Sequence, residues 1–217
     1  MSEMKKRILI AGHPDLTHNY QAALLSTGME YEIALSINDI NSFDGLLLPG
    51  GGDIDPIYFH QPNLGSKNID SSLDEKQFRI LDAFVTAKKG ILGICKGIQL
   101  INIYFGGNII QDLKTAKTHA YHDTDRIHVT HSVEHTFIHH LYGNHIFTNS
   151  AHHQGCGVLG HHLLPSQYAF DGVLEALYHT SLPIIGVQWH PERMAFQFSR
   201  SDTVDGSLVF LYFKSLL

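Results

Sequence analysis

Cationic side chains are scarce in this chain of 217 residues: Lys and Arg number 15 against 21 Asp and Glu, a formal charge of −6. That balance argues against a general nucleic-acid binder and against a polybasic protein of the membrane surface. Long apolar runs are missing as well. The run at 8–11 after Lys5-Lys6-Arg7 is too short for the apolar core of a secretory signal, and no stretch approaches the ~18 apolar residues of a membrane span. The expectation is a soluble, cytoplasmic protein. Cysteine is limited to Cys95 and Cys156, and in a cytoplasmic chain of this size free thiols are expected rather than a disulfide. With 43% apolar residues and only 7 Pro and 19 Gly, the composition excludes whole-chain disorder, collagen and coiled coil.

Histidine is the abundant residue, at 17. With a reference pKa near 6.5, about a quarter of them are protonated at pH 7, which brings the net charge to roughly −2. The length corresponds to roughly 1.4 typical domains, so residues 1–217 are expected to form one.

Short apolar runs alternate with helical periods, the signature of an α/β sheet with parallel strands. Strands are expected at 7–11, 31–35, 43–48 and 91–94, the third stopping hard at Pro49-Gly50-Gly51-Gly52. Ala22, Ala23 and Leu24 belong to a helix that Gly28 ends. Ser72 and Glu75 read as an S-x-x-E capping box, opening a helix whose apolar positions run to Lys89. The second half is less regular. It offers a strand at 127–133, a helical turn at 137–141, a hairpin over 168–179 turning at Asp171-Gly172, a strand at 184–189 and a helix at 208–216.

The strongest chemical signal is Gly93-Ile94-Cys95-Lys96-Gly97, between a buried strand and the amphipathic run Ile98, Ile101, Tyr104, Phe105. It is a G-x-nucleophile-x-G elbow with Cys in place of Ser. The glycines allow a sharp turn that exposes the side chain, while the helix N-terminus favours negative charge and lowers the thiol pKa. A lone Cys is usually a small buried hydrophobe; strand, glycines and helix together favour the nucleophile. A thiolate needs a proton acceptor and a group to orient it. Gln188-Trp189-His190-Pro191-Glu192 offers both at the end of a strand, and the three groups need be adjacent only in space.

Other motifs are weaker. Gly155-Cys156-Gly157-Val158-Leu159-Gly160 satisfies G-x-G-x-x-G but follows a polar stretch and lacks a βαβ unit. The run at Gly50 lacks the Lys-Ser/Thr of a phosphate loop. His131-Ser132-Val133-Glu134-His135 matches H-x-x-E-H, which works only on a helix, whereas its surroundings favour a strand. The pairs His139-His140, His152-His153 and His161-His162 read as solvated loop residues, since neighbours on a helix or strand point apart. No metal site is expected.

Five segments occur in order: Pro49-Gly50-Gly51-Gly52-Asp53-Ile54-Asp55-Pro56; Gly93-Ile94-Cys95-Lys96-Gly97-Ile98-Gln99; Gly106-Gly107 with Gln111-Asp112-Leu113; Asn149-Ser150-Ala151-His152-His153-Gln154; and Gly186-Val187-Gln188-Trp189-His190-Pro191-Glu192. Together they resemble the class I glutamine amidotransferase superfamily, and most closely its γ-glutamyl-γ-aminobutyrate hydrolase branch, similar to peptidase C26. The resemblance implies an α/β, flavodoxin-like three-layer fold with a mostly parallel central sheet in a single domain. It implies a triad of Cys95, His190 and Glu192 that hydrolyses a γ-glutamyl amide through a thioester, without a cofactor. Gly51, Gly52 and the N–H of Lys96 fall where the family builds its oxyanion hole. Gln99, His153 and Gln154 fall where it holds the glutamyl moiety. Lys96 stands where this branch usually has Arg, a change that leaves the backbone N–H intact.

The expected partner is therefore a small γ-glutamyl substrate, with neither nucleic acid nor membrane, and homodimer formation is left open. The alternative within the same family is a glutaminase subunit that passes ammonia to a separate synthase partner. A non-enzymatic binding module would be marked by loss of Cys, His or Glu at the three positions, and all three are present.

Overall fold

A computed structural model describes residues 5–217. In chain order the elements begin with β1 (Arg7–Ile10), α1 (His18–Ser26), β2 (Glu30–Ile33), β3 (Gly45–Leu48), α2 (Ser71–Thr86), β4 (Gly90–Ile94) and α3 (Lys96–Tyr104). They continue with β5 (Ile109–Ile110), α4 (Ala116–His119), β6 (Arg126–Ser132), α5 (Phe137–Tyr142), β7 (His145–Ser150) and β8 (Gly155–Cys156). The last are β9 (Leu163–Ala169), β10 (Leu174–His179), β11 (Ile184–Val187) and α6 (Ser207–Ser215).

Among the described residues nine strands form one sheet in the order β2-β1-β3-β4-β11-β10-β9-β6-β7. Its core from β2 to β11 is parallel, and from β11 onward each pairing is antiparallel. All residues of β3 and β4 are buried, as expected of strands covered on both faces. Successive side chains go to opposite faces. Ile8, Ile10, Leu47, Leu92 and Ile94 pack with Tyr20, Leu24, Phe210 and Phe213 of α1 and α6. Leu9, Leu46, Leu48 and Ile91 pack with Ile80, Leu81, Phe84, Ile98 and Ile101 of α2 and α3. The result is helix, sheet and helix in three layers, the α/β architecture read from the sequence.

The boundaries differ from the sequence reading in places. The capping box is not formed. Asp70 caps α2, its carboxylate accepting from the Leu73 N–H at 3.0 Å, so the helix begins before Ser72 and Glu75 instead pairs with Arg79 one turn on, at 2.6 Å. The third strand starts at Gly45 because a 3-10 turn at Ile40–Ser42 precedes it. The hairpin is longer, β9 starting at Leu163 and running through Pro165, whose missing N–H masks the strand signal. Strand β7 lay hidden in a polar sequence, and β11 ends at Val187, leaving Trp189 and His190 beyond it.

Candidate active site

Neighbouring strands β3, β4 and β11 end on the same side, so the segments leaving them converge. Crevices at the carboxyl ends of parallel strands are the usual ligand sites of such sheets. From β3 comes the glycine run 50–52, from β4 Cys95, and from β11 the turn bearing His190 and Glu192.

Cys95 has φ 53° and ψ −102° and stands directly before α3. A non-glycine residue held there stores on the order of 1–3 kcal/mol of strain. The close packing around it fixes the turn. A Cβ on Gly97 would lie 2.2 Å from the Leu48 carbonyl oxygen, and one on Gly93 would lie 2.6 Å from the Gly97 carbonyl carbon. The Cys95 N–H donates to the Val187 carbonyl at 2.9 Å, tying the elbow to β11.

His190 is buried, and its Nδ1 lies 2.7 Å from Glu192 Oε1. A carboxylate at Nδ1 favours the tautomer with the proton there and presents Nε2 for exchange. Asn149 holds the histidine backbone from both sides: its Oδ1 accepts from the His190 N–H at 2.8 Å, and its Nδ2 donates to the His190 carbonyl at 3.0 Å. Both His190 and Cys95 lie against Gly50, where an added Cβ would stand 3.1 Å from His190 Cε1 and 3.5 Å from Cys95 Cβ. Burial alone would raise the Cys95 thiol, but the charge of His190 and a hydrogen bond to it bring the thiol below its ordinary value. Burial likewise opposes the imidazolium, and the charges of Glu192 and Cys95 overcome it and push His190 up to about 10. Cys156 contrasts: it is free and buried, and burial raises it well above the ordinary range.

Two cavities meet at Gly51, Cys95 and Ala151. One, of about 420 Å³, is bordered by Asp15, His18, Asn19, Tyr20, His190 and Arg193. The other, of about 240 Å³, is bordered by Asp53, Lys67, Lys96, Gln99, His153 and Gln154. Gly51 and Gly52 also border the second, and among the described residues no acceptor pairs with their N–H groups or with that of Lys96. The Lys96 side chain points away into the interior, its Nζ 2.6 Å from Asp74 Oδ1 with both side chains buried.

Gln99, His153 and Gln154 thus share one cavity wall, but their polar groups are largely engaged. Gln99 Nε2 donates to Gln188 Oε1 at 3.2 Å, and Gln154 Nε2 donates to Ser66 Oγ at 2.9 Å and to the Gln111 carbonyl at 3.0 Å. The His153 ring spans Asp53 and Asp112, at 2.9 and 3.1 Å. Sequence reasoning missed Asn149 and Tyr20, whose Oη accepts from the Gly50 N–H at 3.0 Å. It also missed Lys67 and the rim residues Asp15, His18 and Asn19. Asn149 opens the fourth of the five ordered segments and could have been found there, whereas the rim carried no motif.

The histidine pairs do not share one environment. His161 and His162 are exposed, as expected, whereas His152 is buried, its ring set between the Gln154 carbonyl and the buried Glu175. His131 lies on β6 and His135 beyond it, so H-x-x-E-H spans a strand end rather than a helix. Gly155 opens the two-residue β8 and Gly157 follows it; β8 pairs antiparallel with β5, with no βαβ unit. The donor atoms of His119, His128 and Glu175 gather within 4.8 Å of one another, an arrangement that could hold a metal ion.

Comparison with known proteins is consistent with this geometry. Residues 20–192 match the peptidase C26 family. A glutamine amidotransferase-like protein of Lactococcus lactis, YvdE, is 34% identical over 161 residues, covering 71% of this chain and 68% of that protein. The γ-glutamyl-CDP-amidate hydrolase of Campylobacter jejuni is 29% identical over 180 residues, covering 82% and 74%. The solved structure of PurLQS from Thermotoga maritima superposes with a TM-score of 0.70 over 98% of this chain and 99% of its own, at 19% identity, a likeness of fold.

Proposed function

The chain belongs to the peptidase C26 family of the class I glutamine amidotransferase superfamily, and on that premise we propose that it hydrolyses a γ-glutamyl amide of a small amine at Cys95. The observation that carries this reading is the strained Cys95, at the junction of the two cavities and coupled to the His190–Glu192 pair. The thiolate attacks the δ-carbonyl carbon, forming a C–S bond while the carbonyl π pair moves onto oxygen. The oxyanion is received by the N–H groups of Gly51, Gly52 and Lys96; such donors are worth about 2.7–4 kcal/mol each in related chemistry. Collapse breaks the C–N bond, and the amine leaves with the proton of His190. Water then gives a proton to His190 and adds to the thioester, and loss of the thiolate frees glutamate.

The smaller cavity suits the glutamyl half, because Lys67 and Asp53 supply the opposite charges that an α-amino acid end requires and Gln99, His153 and Gln154 shape the wall. The larger cavity would take the leaving amine beside Asp15 and Asn19. The test is glutamate release by the purified chain from γ-glutamyl-γ-aminobutyrate, other γ-glutamyl amines and glutamine. We expect release from the amines to exceed that from glutamine, and Cys95→Ala to abolish turnover with the circular dichroism spectrum unchanged. Substantial activity in Cys95→Ala would overturn the mechanism. Glutamine hydrolysis appearing only on addition of a synthase would instead assign an ammonia-delivering role.

A further inference from the structure

Glu175 on β10 is fully buried, yet neither carboxylate oxygen accepts a hydrogen bond among the described residues. A desolvated carboxylate without donors is costly, and such a group calls for an ion, a water or a functional reason. Three histidines from three other segments face the same oxygen. His119 Nδ1, at the end of α4, and His128 Nε2, on β6, are each 3.6 Å from Glu175 Oε1, and His152 Nε2 is 3.5 Å from it. The proposed hydrolysis uses none of these four residues.

The outer hydrogen bonds decide what the rings present to the carboxylate. His152 Nδ1 lies 2.8 Å from the Gln154 carbonyl, which can only accept, so Nδ1 carries a proton and Nε2 is the nitrogen turned toward Glu175. His119 Nε2 lies 2.9 Å from Asp171 Oδ2, which turns Nδ1 inward, 3.4 Å from Ser150 Oγ and 3.6 Å from Glu175 Oε1. An inward ring nitrogen and a buried carboxylate oxygen at this range need a proton or a metal ion between them. A ring nitrogen fixed outward by a carboxylate or carbonyl is also how metal-bound histidines are oriented.

The spacing fits. Zinc bonds of about 2.0–2.2 Å to imidazole nitrogen and carboxylate oxygen, arranged tetrahedrally, place donor atoms about 3.3–3.6 Å apart. The three nitrogen-to-oxygen distances of 3.5–3.6 Å fall in that range. Imidazole donors with a carboxylate suit a borderline transition metal, whereas calcium and magnesium seek oxygen-rich shells. We propose that His119, His128 and Glu175 form a structural site for a divalent metal of the zinc class, with His152 beside it, 3.5 Å from the same carboxylate oxygen. Its place links α4, β6 and β10 to residues 151–154, which line the smaller cavity. The ion would brace that wall from within and take no part in bond cleavage.

The test uses the full chain purified without an affinity tag, its metal measured by elemental mass spectrometry, then stripped with chelator and titrated with zinc and cobalt. We expect one zinc per chain to survive desalting, a higher melting temperature with zinc restored, and the strong visible bands of four-coordinate cobalt. Glu175→Gln and His128→Asn should weaken zinc by more than about a hundredfold and Asp171→Asn by about ten- to a hundredfold, while His139→Asn with His140→Asn should leave binding unchanged. Should the ligand variants fail to fold, the cobalt spectrum of the unaltered chain decides. Weak binding that is equal in Glu175→Gln means an adventitious ion only, and either that or a cobalt spectrum lacking four-coordinate bands overturns the proposal. None of these readouts depends on turnover, so the site can fail while the hydrolase reading stands.

Discussion

At Cys95 and His190 two shifts of opposite sign define a working window. The thiol is lowered by the charge of His190 against the pull of burial, and the imidazole is pushed up to about 10 by Glu192 and Cys95. Thiolate and imidazolium therefore coexist between the two values. Below the window Cys95 is protonated and cannot attack; above about 10 His190 has lost the proton that the departing amine needs. We expect kcat/KM to rise through an acidic limb below the ordinary thiol range, hold a plateau and fall near pH 10. Glu192→Gln should draw the alkaline limb downward, because the charge that raises His190 is gone. A profile unchanged in that variant would show that Glu192 does not tune the histidine. Lys96 illustrates a different logic. Its buried pairing with Asp74 at 2.6 Å means that Lys96→Met would strand a carboxylate in the interior, at a cost of about 3–5 kcal/mol. Urea unfolding should show that loss, and Lys96→Met with Asp74→Leu should recover much of it. The sequence made the positions of Cys95, His190 and Glu192 legible because each sits in a short contiguous pattern whose glycines or proline report the turn. Tyr20 carried no motif, and the role of Asn149, although it opens a matched segment, was not legible there because its bonds to His190 join distant segments.

Among the elements, α2 shows how a local rule can hold while its address shifts. Ser72 and Glu75 satisfied a capping pattern, but Asp70 makes the bond to the Leu73 N–H. Asp70→Ala should destabilise the protein by about 0.5–2 kcal/mol, and Ser72→Ala should change it by less than about 0.5 kcal/mol. Comparable losses in chemical denaturation would restore the capping box. The parallel strands were readable because burial on both faces makes them continuous apolar runs. Strand β7, His145-Ile146-Phe147-Thr148-Asn149-Ser150, was not. It buries the polar residues Thr148, Asn149 and Ser150, and the side-chain hydrogen bonds of Asn149 and Ser150 become visible only once the sheet is assembled.

On the scale of the whole molecule, the order of strands in the sheet is not their order in the chain. β11, the final strand of the described chain, inserts between β4 and β10 at the middle of the sheet and brings His190 to a cysteine presented long before it. Until it docks, β4 and β10 each lack a neighbour on the side where it will lie, and closing such sequence-distant pairings is the slow part of assembly. The partially built sheet would therefore hold its nucleophile without the group that ionises it. After dilution from urea, the fast alkylation expected of the activated thiol should emerge later than most of the far-ultraviolet signal; simultaneous appearance would mean that the centre of the sheet closes first. Insertion of the last strand would thus act as a built-in delay, withholding a reactive sulfur from the surroundings of an unfinished protein until the chain has found its complete shape.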